Sequence, residues 1–145
     1  MTSKDPPSLH HVVFAVALER HGAVAQMFTE LGFTLAQAEL TELGLRINLD
    51  WNRGIELISP LPGSTEPVAA SVSEFLDTMG DGIYTVVLQV PEASSALAVT
   101  DRYGASLRFR QKLEGDDNHL EEIDLSVLDL PLTLLDTNIG VNADD

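Results

Sequence analysis

The side chains of this sequence suited to moving protons or holding metal ions are four histidines and 23 carboxylates among 145 residues. Cysteine is absent, which excludes disulfides, thiolate zinc sites, iron–sulfur clusters and a cysteine nucleophile. His11 lies within the apolar run Leu9-His10-His11-Val12-Val13-Phe14-Ala15-Val16 and is expected to project from a buried strand. His10 alternates with it, so it should face the other side and serve the structure. His21 falls at the start of the first predicted helix and is expected at the surface. His119 opens the acidic strand His119-Leu120-Glu121-Glu122-Ile123-Asp124, where a solvated strand face is favoured over a metal site.

Charge narrows the partners. Eight basic residues against 23 acidic ones give −15. Residues 67–145 hold 15 of the acids and four of the bases, Arg102, Arg108, Arg110 and Lys112. Such a field repels phosphate backbones and anionic lipid, so nucleic acid and membrane are not expected as partners. A cationic ligand is compatible with it, although solubility alone accounts for the charge. The basic cluster either meets an anionic group or balances nearby acids. No apolar run reaches the roughly 18 residues of a membrane helix. The polar start Met1–Pro7 does not read as a signal peptide, so a cytoplasmic protein is expected.

The elements that must position these residues come as one pattern written twice. The strand about His11 is followed by a helix whose Val24, Met27, Phe28 and Leu31 form an apolar stripe, ended by Gly32. Strands are predicted at about 34–40, 45–51 and 54–61. A Pro/Gly-rich linker and a short helix over about 68–79 come next, with Val72, Phe75, Leu76 and Met79 on one face. The strand Ile83–Val90 then restarts the pattern. A helix up to Tyr103 and strands at about 106–111, 119–125 and 131–137 complete it. The domain plan is therefore an N-terminal tail over 1–8 and a first β-α-β-β-β unit over 9–61. A linker over 62–80, a second unit over 81–137 and a polar tail over 138–145 follow.

This organisation resembles the vicinal oxygen chelate superfamily, which includes glyoxalase I, methylmalonyl-CoA epimerase, extradiol dioxygenases and bleomycin-resistance proteins. The resemblance covers about Leu9 to Thr137. It rests on the His11-x-x-x-x-Val16 strand, the helix end Phe28-Thr29-Glu30-Leu31-Gly32-Phe33 and the segment Gly54-Ile55-Glu56-Leu57-Ile58-Ser59-Pro60. The Gly80-Asp81-Gly82 entry to the second half and a closing hairpin from Ile123 to Asp136 add to it. The Glu56–Pro60 segment and linker helix look most like the epimerase branch. The resemblance implies an α+β fold of two β-α-β-β-β units, forming a cupped eight-stranded mixed sheet with helices outside. It also implies a homodimer and a ligand held in the cup.

In metal-dependent members, four inward side chains hold one divalent ion. Carried over by position, these are His11, Glu56, Thr85 and Leu134. His11 and Glu56 are suitable ligands, Thr85 is a poor one and Leu134 cannot bind. A shift of two residues in the last strand would offer Asp136 beside His11 and Glu56. The expectation is therefore no cofactor, with a divalent metal as the open alternative. His11 and Glu56 then become a candidate acid/base pair. Alternation from the four positions puts Val13, Ile58, Val87, Gln89 and Leu132 in the cup beside Thr85 and Leu134. Arg46 is a possible donor, and Trp51 and Tyr84 are possible stacking partners. Two functions follow. One is a glyoxalase- or bleomycin-resistance-like protein that binds a small hydrophobic, aromatic or cationic ligand without a conventional metal site. The other is an isomerase, epimerase or lyase acting on an α-acidic carbonyl or acyl-thioester compound through His11 and Glu56.

Overall fold

The computed structural model describes residues 6–139. Most of the expected N-terminal and C-terminal tails lies outside them. The architecture is α+β, as the sequence predicts: eight strands in mixed pairing and three helices among the described residues. The chain divides into two compact units, His11–Tyr84 and the described parts of Met1–His10 and Thr85–Asp145.

The first unit contains most of β1 (Ser8–Ala15), α1 (Leu18–Leu31), β2 (Ala36–Leu40), β3 (Leu45–Asp50), β4 (Ile55–Pro60) and α2 (Pro67–Met79). Its strand order is β2-β3-β4-β1. β2, β3 and β4 form an antiparallel meander, and β4 returns parallel to β1 with Val13 opposite Glu56. α1 crosses on the face of Phe14, which meets Phe28 at 6.0 Å between ring centroids. Gly32 ends that helix at φ 112°, the left-handed position that favours glycine. Gly44, at φ +72°, has a further constraint: a Cβ there would come within 2.0 Å of Ser64 Oγ. The β2–β3 turn can therefore lie against the segment leading into α2, where Leu61 N donates to Gly44 O at 2.7 Å.

The second unit contains most of β5 (Gly82–Gln89), α3 (Ala93–Arg102), β6 (Ser106–Gly115), β7 (Asn118–Val127) and β8 (Leu130–Thr137), in the order β5-β8-β7-β6. β8 lies parallel to β5, and Val87 is opposite Thr133. Two-residue hairpins join β6 to β7 and β7 to β8. Both place two successive non-glycine residues at positive φ, Asp116 and Asp117, then Leu128 and Asp129. The core is Val90, Ala93, Ile123, Leu125, Val127 and Leu134, with Leu88, Leu97 and Leu132 against it.

Three expectations change. The α1 stripe is only partly covered, with Met27 49% and Leu31 68% exposed. His21, expected at the surface, is 2% exposed and is the residue by which α1 grips the sheet. Its Nδ1 lies 2.7 Å from Ser59 Oγ on β4 and its Nε2 2.6 Å from Asn48 Oδ1 on β3. The third change concerns β6 and β7, which run about four residues and three residues longer than predicted.

Candidate functional site

His11 is two residues before Val13 on β1, and Val13 is opposite Glu56 on β4. The two-residue period of a strand therefore puts His11 and Glu56 on one face. His11 Nε2 lies 3.1 Å from Glu56 Oε1, with His11 at 1% and Glu56 at 14% side-chain exposure. A short 3₁₀ turn, Trp51–Arg53, follows β3 and is closed by Gly54 in the left-handed conformation. It returns the Trp51 indole over the pair. Trp51 stacks on His11 at 5.0 Å and 25° between planes, and its Nε1 donates to Glu56 Oε1 at 2.9 Å. One carboxylate oxygen is thus fixed by the indole beside the imidazole. From sequence, Trp51 is a possible stacking partner for a ligand; within the protein it stacks on His11.

The corresponding positions of the second unit hold hydroxyls. Val87 opposite Thr133 repeats Val13 opposite Glu56, 74 residues later on the first strand and 77 on the second. Thr85 Oγ1 lies 3.0 Å from Thr133 Oγ1. Thr133 donates to Asp124 Oδ1 at 3.1 Å, and Arg108 Nη2 donates to the same oxygen at 3.0 Å. Burial pushes the Asp124 carboxyl above its ordinary pKa, against the opposing pull of Arg108 and of the Thr133 hydroxyl. In the first unit, burial instead holds His21 below the ordinary imidazole value, against its hydrogen bond to Asn48.

The side chain facing Thr85 is therefore Thr133. Leu134, its neighbour, points to the opposite face and lies in the core with Ala93 and Ile123. Leu132 shares that face and packs on the same cluster. Asp136 is also on Leu134's side of β8. Its Oδ1 lies 2.9 Å from His119 Nε2, and its Oδ2 accepts the Ala93 N–H of α3. Asp136 is therefore engaged away from Thr85 and Thr133.

The other predicted residues separate in the same way. Val13, Ile58 and Val87 take the faces of His11, Glu56 and Thr85 and are buried. Arg46 is opposite Ser59, on the α1 face of β3, and bonds Glu39 on β2. Tyr84 is buried against α2, with its hydroxyl 2.7 Å from Ser71 Oγ and its ring edge-on to Phe75. Gln89 donates to the Thr137 carbonyl at 3.3 Å. Arg108, Arg110 and Lys112 of the basic cluster pair with Asp124, Glu121 and Glu114. Sequence reasoning missed Thr133, Asp124, Asn48 and Ser59. Only Asp124 had a signal, an acid placed between the apolar Ile123 and Leu125.

Two strong ligands, His11 and Glu56, do not make the donor set of a conventional divalent-metal centre, which has at least three. Thr85 and Thr133 are neutral hydroxyls already bonded to each other. Among the described residues, no group of three or more His, Asp or Glu is placed to hold a metal ion.

Solved structures share this fold. A hypothetical protein from Bacillus halodurans C-125 matches with a TM-score of 0.66 and 16% identity, over 94% of this chain and 98% of that one. Methylmalonyl-CoA epimerase from Mycobacterium tuberculosis matches with a TM-score of 0.62 and 21% identity, over 94% and 92%. A mutant 4-hydroxymandelate synthase from Streptomyces coelicolor matches with a TM-score of 0.66 and 14% identity, over 92% of this chain and 48% of that one. The likeness is one of fold. No protein-family model and no curated protein sequence matches the chain.

Proposed function

We propose that this chain is a small-molecule-binding protein of the glyoxalase and bleomycin-resistance type that works without a conventional metal centre. One contrast supports this reading. The first unit keeps a buried imidazole–carboxylate pair, whereas the second unit has two hydroxyls, Thr85 and Thr133, at the matching register. The ligand is a small hydrophobic or aromatic compound, and a cationic one would gain from the net charge of −15. Glu56 Oε2 is the polar anchor. Trp51 is the only tryptophan, so its emission reports binding directly. Titration with planar aromatic cations should give saturable quenching that His11→Ala weakens. Saturation unchanged in His11→Ala would remove the pair from the site. In this reading the protein is a cytoplasmic homodimer, which sedimentation of the purified chain tests.

A second reading is favoured by the 3.1 Å approach of His11 to Glu56 and by the fold likeness to methylmalonyl-CoA epimerase. It is an isomerase or epimerase acting on an α-acidic carbonyl or acyl-thioester compound, with His11 and Glu56 exchanging the α-proton. Catalysed loss of that proton into D2O, abolished by Glu56→Gln, would select this reading over the first.

A further inference from the structure

The His119–Asp136 pair is not used by either reading. It lines a cavity of about 250 Å³ in the second unit, together with Ser8, Gln89, Pro6 and Pro91. The bonding around this cavity fixes its polarity. Asp136 Oδ1 lies 2.9 Å from His119 Nε2; with the ring neutral and its proton on Nε2, the lone pair is on Nδ1. Gln89 gives its Nε2 to the Thr137 carbonyl, so its Oε1 is an acceptor. Among the described lining residues there is no lysine or arginine. The cavity therefore offers acceptors and a carboxylate, with no lysine or arginine among these described residues to neutralise it.

That arrangement opposes an anion. The N-terminal end of α3 would attract one, but the first N–H of α3, that of Ala93, already donates to Asp136 Oδ2 at 2.9 Å. A metal ion is opposed as well, since His119 and Asp136 provide only two strong ligands. The size lies below the roughly 300–1,000 Å³ of pockets for drug-sized ligands. We propose that this cavity is a second ligand site, specific for a small alkylammonium compound. Asp136 supplies the counter-charge, and His119 Nδ1 and Gln89 Oε1 accept the ammonium hydrogens. Pro6 and Pro91 form the apolar wall beside the alkyl part.

Side-chain NMR of the full chain tests this, with butylammonium chloride as probe and 1-butanol as the neutral isostere at matched ionic strength. The His119 ring resonances should shift saturably, with half-saturation at about 10 mM or below. Trp51 Nε1–H should stay in place, and 1-butanol should have no effect. Asp136→Asn should weaken binding about tenfold or more, since a charge-assisted hydrogen bond is lost. If Asp136→Asn loosens the fold, His119→Ala decides instead: His119 is 43% exposed, and the variant should bind at least severalfold more weakly. Equal shifts with 1-butanol would overturn the proposal. So would a shift that rises without saturating, or binding unchanged in His119→Ala.

Discussion

Where β1 and β4 face each other, the first unit has His11 and Glu56, closed over by Trp51. The same register in the second unit has Thr85 and Thr133, backed by Asp124 and Arg108. The backbone relation is repeated: parallel first and last strands joined through a helix and a meander, with side chains opposed at matching steps. The chemistry is not repeated. Strand pairing and burial fix where such a position lies, but they accept any pair of polar groups that satisfy each other. Imidazole with carboxylate meets that demand in one unit, and two hydroxyls meet it in the other. The same backbone register therefore accommodates two different donor sets.

Writing the first unit's chemistry into the second has the largest expected effect. Thr85→His with Thr133→Glu gives the second unit its own imidazole–carboxylate pair, which should bind Ni(II) or Co(II) about 100-fold or more tighter than the two hydroxyls it replaces and so add a second weak two-ligand site. Calorimetric titration measures it. Leu134→Glu is the sharpening control. It puts a carboxylate into the apolar cluster of Ala93 and Ile123. It should cost about 3 kcal/mol or more of stability and add no metal affinity. A stable Leu134→Glu protein that binds metal would mean that the register has been misread by one residue.

Removing polar groups one at a time should have intermediate effects. His11→Ala deletes a buried ring stacked on Trp51 and leaves Glu56 without it, a loss of about 2–4 kcal/mol in urea unfolding. Thr133→Val keeps the shape and deletes one hydroxyl between Thr85 and Asp124, a loss of about 1 kcal/mol. Equal losses would erase the asymmetry between the units.

Acid should produce the smallest effects, with opposite signs in the two units. His21 has its folded pKa below the ordinary 6.5. The unfolded chain therefore binds the extra proton first, and stability falls as pH drops through 6.5. Asp124 has its folded pKa above the ordinary 3.8. The folded chain binds that proton first, and stability rises as pH drops through the folded value towards 3.8. Urea midpoints between pH 8 and pH 4 separate the two. His21→Gln should remove the loss on the near-neutral side, and Asp124→Asn the gain on the acid side. Curves unchanged by either variant would mean that neither buried group senses pH.

How far the sequence revealed this depended on the kind of signal. The duplicated β-α-β-β-β order was legible because strand and helix periods alternate clearly and Gly32 marks a helix end. The His11–Glu56 pair was legible through the family resemblance, and alternation from it put Val13 and Ile58 on the same face. Thr133 was not, and the reason is local. The β7–β8 hairpin turns on Leu128 and Asp129, both at positive φ, with no glycine to announce the turn. The register of β8 was therefore displaced by one residue, and one residue exchanges the two faces. His21 was hidden differently: its place in a helix is clear from sequence, but its two hydrogen bonds come from Ser59 and Asn48, far along the chain. Trp51 was named from sequence, but its contact with His11 and Glu56 was hidden by the 3₁₀ turn that returns its indole to them.

The central claim is that this chain holds its ligand without a conventional metal centre. It is tested most directly by elemental mass spectrometry of untagged protein after incubation with Ni, Co, Mn and Zn and desalting. The account predicts far less than one ion per chain. Near-stoichiometric metal, lost on His11→Ala, would contradict it.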